Sequence, residues 1–498
     1  MKIEEYARFI SSAFRRFHLL LRFRFSPPSL NDKDTLMTEE EMVREQNLLN
    51  RISMLEKQLT AALASPQVSP KPKLAVKKQQ KPFDFSKTGA RKVALKISYL
   101  GQNYYGFTTS SNYYGFTTSS LAPENVTDQK HELPTIEGEI FKAMMTCKLI
   151  PSPDECQWSR AGRTDKGVSG FGQVVSLWIK TKLPMEHASV LDWDSVKALK
   201  TERVIHEDDF EDDQELSFSN DANLDGNGDI IVQDTQEEQE YPYVDMINRL
   251  LPKEIRILAW TPVDTNFDAR FSCKWRKYNY VFSNRNLNLE RMQHAASLFK
   301  GTHDCRYICK IDTSKLQAPN FFTRTIYESR IEKVDEHSSI FVVRGRAFLW
   351  HQVRNMMALL FLVGQELESP EIIPTLLDPS KHPEKAGKPN YEMAPDHPLV
   401  LVECGYNGLN WKLENDATFR SRQLFQEQWQ DVNLNALQLS ILQKEFDKLG
   451  ADKVSPPPHA KQTPRHLPLL KRGRADSVET VKEKLALKKQ KKKVKTIL

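Results

Sequence analysis

SRAGRTDKGVSGFGQVVSL, residues 159–177, sets a single carboxylate, Asp165, among Arg160, Arg163 and Lys166, borders it with Gly162 and Gly167, and runs directly into an apolar segment. Glycines beside RTDK permit a tight turn with dihedrals that other residues avoid, and such a turn can project a short carboxylate into a cleft. The surrounding bases favour its ionised form. In isolation a TDKG bend is an ordinary solvated loop whose ion pairs contribute little. Its surroundings decide between the two readings.

Downstream of the bend, residues 174–179 read as a strand. Upstream, Val93, Leu95, Ile97 and Tyr99 alternate on one face of another strand, and Ile136, Ile140, Phe141 and Met144 line one side of a helix near 135–147. The same mixture recurs later. Tyr278, Tyr280 and Phe282 share a strand face, a helix follows at about 288–300, and strand patterns return at 326–334 and 339–344. Strands and helices mixed in this way twice over predict an α+β protein of two similar halves.

The flanks differ in composition. Leu48, Ile52, Leu55, Leu59 and Ala62 recur with heptad spacing, predicting a short coiled coil within about 40–64, followed by a basic, proline-containing linker. NYYGFTTSS occurs at 103–111 and again at 112–120, a duplication of the kind loops tolerate. Residues 204–240 carry many acids and no Lys or Arg, which predicts a disordered insertion. From about 450 the chain is proline-rich and then lysine-rich, the composition of a flexible basic arm. The expected domains are an extension (1–87), a first half carrying the Asp motif (88–264), a second half (265–412) and a C-terminal helical and basic extension, largely flexible (413–498).

The 498 residues carry a net charge of +6, so the placement of charge matters more than its sum. The six scattered cysteines predict reduced thiols rather than a disulfide framework. His303, Cys305 and Cys309 lack a fourth ligand at zinc spacing, so no metal is expected. The Arg-rich N-terminus fits a mitochondrial presequence less well than a peripheral extension, because Glu4 and Glu5 interrupt it. The longest later apolar run, 347–363, is too short to span a bilayer and holds Arg354. No membrane association is expected. A guanidinium in so apolar a run needs an anionic partner, for which Asp165 is a candidate.

These residues carry a resemblance. GRTDKGVSGFGQVVSL resembles the catalytic motif of the TruA-type tRNA pseudouridine synthases, whose aspartate falls on Asp165. ISYLGQNYYGF, TIEGEI, LPKEIRILAW, FDARFSCKWRKYNYVF, GTHDCRYIC, GRAFLWHQVRNMMALLFLVG and PLVLVECGY are similar to the family's other segments, in its order, over roughly 88–410. FGQVVSL and the segment before the first strand look most like the eukaryotic branch that modifies uridines 38 and 39 in the tRNA anticodon arm. The resemblance implies two RRM-like or ferredoxin-like α/β-sandwich halves around a mostly antiparallel central sheet, with a catalytic cleft between them.

It also implies roles. Asp165 is the covalent catalyst, Arg354 its partner, Arg163 the side chain that helps extrude the target nucleotide, and Tyr278 the ring stacked on the flipped base. Lys166 and Arg160 are expected on the RNA. A stacked uridine must leave its stem before its glycosidic bond can be remade at C5, so an aromatic platform and an inserted side chain are physically reasonable. Asp165 could attack the sugar or remove a sugar proton. No cofactor is expected, because isomerisation needs neither redox nor phosphoryl chemistry. The expected partners are tRNA and a second copy of the chain, in cytoplasm or nucleus. The family's glutamine after the first GF is absent, either copy of NYYGFTTSS could fill the family position, and Gly170 stands where alanine is customary. The alternative reading is a catalytically lapsed tRNA-binding scaffold or folding chaperone.

Overall fold

The alternation at Val93, Leu95, Ile97 and Tyr99 places all four side chains, fully buried, in one apolar core. The computed structural model describes residues 83–108, 134–199, 240–312, 320–383, 385–450 and 466–497. The coiled coil, the basic linker, the second copy of NYYGFTTSS and residues 204–239 of the acidic segment lie outside the described residues.

In chain order the elements begin with β1 (Gly89–Tyr99), α1 (Ile136–Thr146), β2 (Ser159–Arg160) and β3 (Ser169–Lys180). Next come β4 (Val190–Asp192), α2 (Trp193–Ala198), α3 (Tyr243–Asn248), β5 (Ile255–Pro262) and β6 (Trp275–Ser283). Then follow α4 (Leu289–Ser297), β7 (Gly301–Asp304), β8 (Thr323–Lys333), β9 (Ser338–Gly345) and α5 (Gln352–Gly364). The last are α6 (Ile372–Leu376), β10 (Leu399–Gly405), α7 (Asn415–Lys448) and α8 (Val478–Ile497). Together they make an α+β protein built on one ten-stranded sheet in the order β4-β1-β3-β10-β6-β9-β8-β7, with β5 also on β1 and β2 also on β3.

Among the described pairings every ladder is antiparallel except β3 with β10, where Ser169 faces Val400 and Gly170 faces Leu401. The expected strand at 174–179 thus begins earlier, at Ser169, because its first residues seam two parts of the sheet together. The Asp165 bend lies immediately before that seam. On one side of it, α1 and α3 bury Ile136, Ile140, Phe141, Met144 and Val244 against β1, β3 and β5. On the other, α4, α5 and α6 bury Met292, Met356, Leu360 and Ile373 against β6, β8 and β9.

Caps fix the helix starts. Thr135 accepts from Gly138 N (3.2 Å) at α1, where Glu137 and Glu139 also suit the positive end of the helix dipole. Asn288 accepts from Arg291 N (3.1 Å) at α4. No helix among the described residues is long and apolar enough to cross a membrane.

The C-terminal extension departs from the expected flexible arm over 466–487. Leu469 is wholly buried in the core of α4 and α5, and Val478, Val481 and Leu485 pack against it. Backbone bonds from Asn390 N to Gly473 O and from Ala475 N to Lys388 O, both 2.9 Å, tie this segment to the chain preceding β10. A few apolar side chains outweigh the surrounding charge here, since burying one leucine contributes about 1.5–3 kcal/mol relative to exposure. α7 is different. Its first turns bury Ala417 and Ser421, while Trp429, Val432, Leu437 and Ile441 remain exposed.

Candidate active site

Residues 161–168 carry the chain from β2 to β3, and three backbone contacts fix their path. Phe107 N donates to Thr164 O (3.2 Å), Gly167 N to Tyr104 O (3.2 Å) and Val168 N to Asp165 O (3.2 Å). The first copy of NYYGFTTSS therefore clasps the bend. Gly106, at φ +93°, lies so close that a Cβ would come within 2.7 Å of Thr164 O. From below, the buried Tyr99 hydroxyl shares a 2.9 Å hydrogen bond with Thr164 Oγ1. The Tyr99 ring also explains Gly170, since a Cβ there would meet it at 2.6 Å.

Of the two bracketing glycines only Gly167 needs its freedom. It sits at φ +80°, and a Cβ would lie 2.8 Å from Asp396 Oδ1, whereas Gly162 has open space around it and no positive φ. The bend so built leaves Asp165 partly open to solvent, with its side chain 35% exposed.

The charges are arranged differently from the sequence expectation. Arg354, on α5, does not pair with Asp165. Its Nη2 stands 3.9 Å from Asp396 Oδ2 and its Nε donates to Ala394 O at 2.8 Å. The need of a buried guanidinium for an anion is met by a carboxylate that itself underlies Gly167, so Arg354 supports the bend through Asp396. The group beside Asp165 is His351, whose Nε2 lies 3.4 Å from Oδ2 and whose side chain is 16% exposed. Burial, then the charges of Arg354, Lys310 and Lys388, hold its pKa below the ordinary histidine value against the opposing pull of Asp165.

Arg160, expected on RNA, is drawn inward. Its Nη1 donates to both oxygens of Glu137 (2.6 and 2.8 Å) and to Thr108 Oγ1 (3.0 Å), joining β2 to the start of α1. Arg163 is exposed and makes no ion pair with a described residue. Lys166 lies over the exposed Tyr105 ring, 4.4 Å from its centroid. Lys310 covers the exposed Trp350 ring at 4.0 Å. Lys388 donates to Asn355 Oδ1, one turn along α5 from His351, and burial brings its pKa down to about 8.

Tyr278 sits on β6 between Leu401 of β10 and Val343 of β9, half-buried, with its ring edge-on to Phe348 at 5.3 Å. Burial is the main cause that raises its hydroxyl pKa, and the charge of Asp165 contributes in the same direction. Behind it, Arg276 donates to the carbonyls of Ala161 (2.7 Å from Nη2), Arg270 (3.0 Å) and Arg346 (2.7 Å), stapling the start of the bend to β6. Asp165, Tyr278 and Arg354 are thus gathered around one seam of the sheet, with Arg163 and Lys166 at its rim.

His351, Asp396 and Lys388 escaped the sequence reading. For His351 the only sequence signal is its place three residues before Arg354 in the same apolar run. For Asp396 and Lys388, in irregular chain between α6 and β10, no spacing gives them away. A fixed carboxylate, a half-buried ring and exposed cations suit RNA chemistry at an extruded nucleotide.

Comparison with known proteins agrees. A family model described as tRNA pseudouridine synthase matches residues 295–407. The chain is 34% identical over 439 residues to the tRNA pseudouridine(38/39) synthase of Bos taurus, covering 86% of this chain and 77% of the relative. It is 41% identical over 339 residues to that of Saccharomyces cerevisiae (68% and 62% covered) and 33% identical over 398 residues to that of Homo sapiens (78% and 70%). Similarity over lengths that take in both the bend and the Tyr278 strand leads to one conclusion: this chain belongs to the tRNA pseudouridine synthase family.

Proposed function

We propose that this protein isomerises uridine to pseudouridine at position 38, position 39 or both in the tRNA anticodon arm, with Asp165 as the catalytic residue. The relatives named for that reaction support the assignment, and the single structural observation that carries the catalyst is a carboxylate on a bend fixed by three backbone hydrogen bonds yet partly open to solvent. In the reaction the N1–C1′ bond breaks, the uracil turns within the site, and C5 bonds to C1′. C5 loses one proton and N1 gains one, so the isomerisation balances without an external reagent. Asp165 supplies either the nucleophile for C1′ or the base for a sugar proton.

The remaining residues take positions around this step. Tyr278 offers an aromatic face to the extruded base, Arg163 enters the gap the nucleotide leaves, and Lys166 meets backbone phosphate. Arg354 acts through Asp396 to hold the bend, and Arg160 acts through Glu137 to hold α1 against it. The two apolar cores on either side of the β3–β10 seam support a reading of the fold as two α/β-sandwich halves with the cleft between them. The exposed apolar side chains along α7 support pairing with a second copy of the chain.

The test is to incubate the protein with an unmodified tRNA transcript and map pseudouridine chemically. Product at 38, 39 or both, lost position by position when each uridine is replaced by cytidine, is expected. A transcript left unmodified, or modified only elsewhere, refutes the assignment.

A further inference from the structure

His351 occupies a place that sequence alone gives no reason to fill with histidine. It precedes α5 at φ 60°, a left-handed conformation that is uncommon for any residue with a side chain and that glycine adopts freely. Its side chain makes no capping bond to the helix, so the imidazole is not there to close a helix end. Its carbonyl holds the backbone, accepting from Asn355 N (3.0 Å) and Asn355 Nδ2 (2.9 Å). What remains for the ring is Asp165, 3.4 Å away, at the one carboxylate the reaction needs. Backbone strain retained beside a reactive group is the pattern expected where the side chain, rather than the fold, requires it.

The surroundings select its protonation state. Asp165 faces the ring from the bend, Arg354 from its own helix, Lys310 from the chain that follows β7, and Lys388 from the segment before β10. Trp350 stands beside it with ring centroids 5.1 Å apart. Three cations and burial oppose one carboxylate, and the balance disfavours the imidazolium. A neutral ring can donate one N–H to Asp165 without adding a charge that would quench a nucleophile or base. Contacts of this length in a free enzyme commonly tighten when substrate binds.

Building on the assignment of Asp165 above, we propose that His351 is a positioning residue for Asp165, orienting the carboxylate as a neutral hydrogen-bond donor. Protonation converts that donor into a counter-ion and removes the carboxylate from reaction. Activity then falls on the acid side as His351 gains its proton, below the ordinary histidine range because its pKa is depressed.

Two variants separate this role from a structural one. His351→Gln places an amide donor at about the reach of Nε2 and cannot titrate, while His351→Asn suits the left-handed backbone but ends short of Asp165. Single-turnover rates on unmodified tRNA, tRNA affinity and thermal stability are measured for both, from pH 5 to 8. Expected are tRNA affinity within about twofold of wild type, a Gln rate within about tenfold that lacks the acid limb in this range, and an Asn rate at least tenfold below that of Gln despite equal or greater stability. An Asn rate equal to that of Gln, or an unchanged acid limb in Gln, overturns the proposal. Wild-type protein that forms no pseudouridine would instead overturn the assigned function, so the two failures are distinguishable.

Discussion

Replacing Arg160 with Met distinguishes a residue that braces the fold from one that grips RNA. The Arg160 guanidinium approaches both oxygens of Glu137, whose side chain is only 4% exposed, while Arg160 itself keeps 24% exposure. Removing one member of a buried ion pair typically costs about 3–5 kcal/mol, because the other charge stays in a poorly solvated place. The partial exposure of Arg160 lets water relieve some of that penalty, which puts the expected loss near 2–3 kcal/mol. Glu137 starts α1, and its amide donates to Phe107 O (2.9 Å) within the segment that clasps the Asp165 bend, so turnover should fall with stability. Urea titration followed by tryptophan fluorescence reads the first effect, and single-turnover kinetics the second. Glu137→Gln alone should lose a comparable amount, and the double variant should lose less than the sum, as for any pair in direct contact. The reasoning fails if Arg160→Met unfolds at the wild-type urea midpoint while its tRNA affinity drops and the slope of log affinity against log salt falls by about one, the signature of a lost phosphate contact.

Asp396→Asn removes the anion that Arg354 meets and that underlies Gly167; turnover should drop by about 10- to 100-fold through displacement of the bend, with tRNA affinity retained in a filter-binding assay. Tyr278→Ala should abolish turnover while leaving most tRNA affinity, since phosphate contacts dominate binding, and a matching collapse of affinity would refute the stacking role. Lys388 has a folded pKa of about 8 against 10.5 when unfolded, so below pH 8 both states are protonated and the burial penalty is constant. Between about pH 8 and 10.5 the unfolded chain holds more protons, and this group makes stability rise with pH by of order 2 kcal/mol. Urea midpoints measured across that window should show this component in the wild type and not in Lys388→Met.

Much of this architecture was legible because it rests on local rules. Alternation at 93–99 and helical spacing at 136–144 reflect one-sided burial, which sequence records directly. The Asp165 bend was legible because its glycine-acid-base pattern is compact in sequence. The partners of the charged groups were not. Whether Arg354 meets Asp165 or Asp396 depends on where irregular chain before β10 comes to rest, and Asp396 is 42 positions from Arg354 with no periodicity to announce it. Arg160 looked like part of a basic rim, since its neighbours in sequence are basic, yet its register opposite Val175 in the sheet turns it toward α1. The lysine-rich ending hid Leu469 because composition averages over a segment, whereas docking needs only a few apolar side chains.

Pseudouridine mapping in a single-turnover reaction with Asp165→Asn tests the catalytic assignment most directly. The variant keeps the size and hydrogen-bonding reach of the side chain but loses the charge, so it should fold and bind tRNA like wild type and form no detectable pseudouridine at 38 or 39. Product from the folded variant at a rate near that of wild type would place the chemistry on another residue.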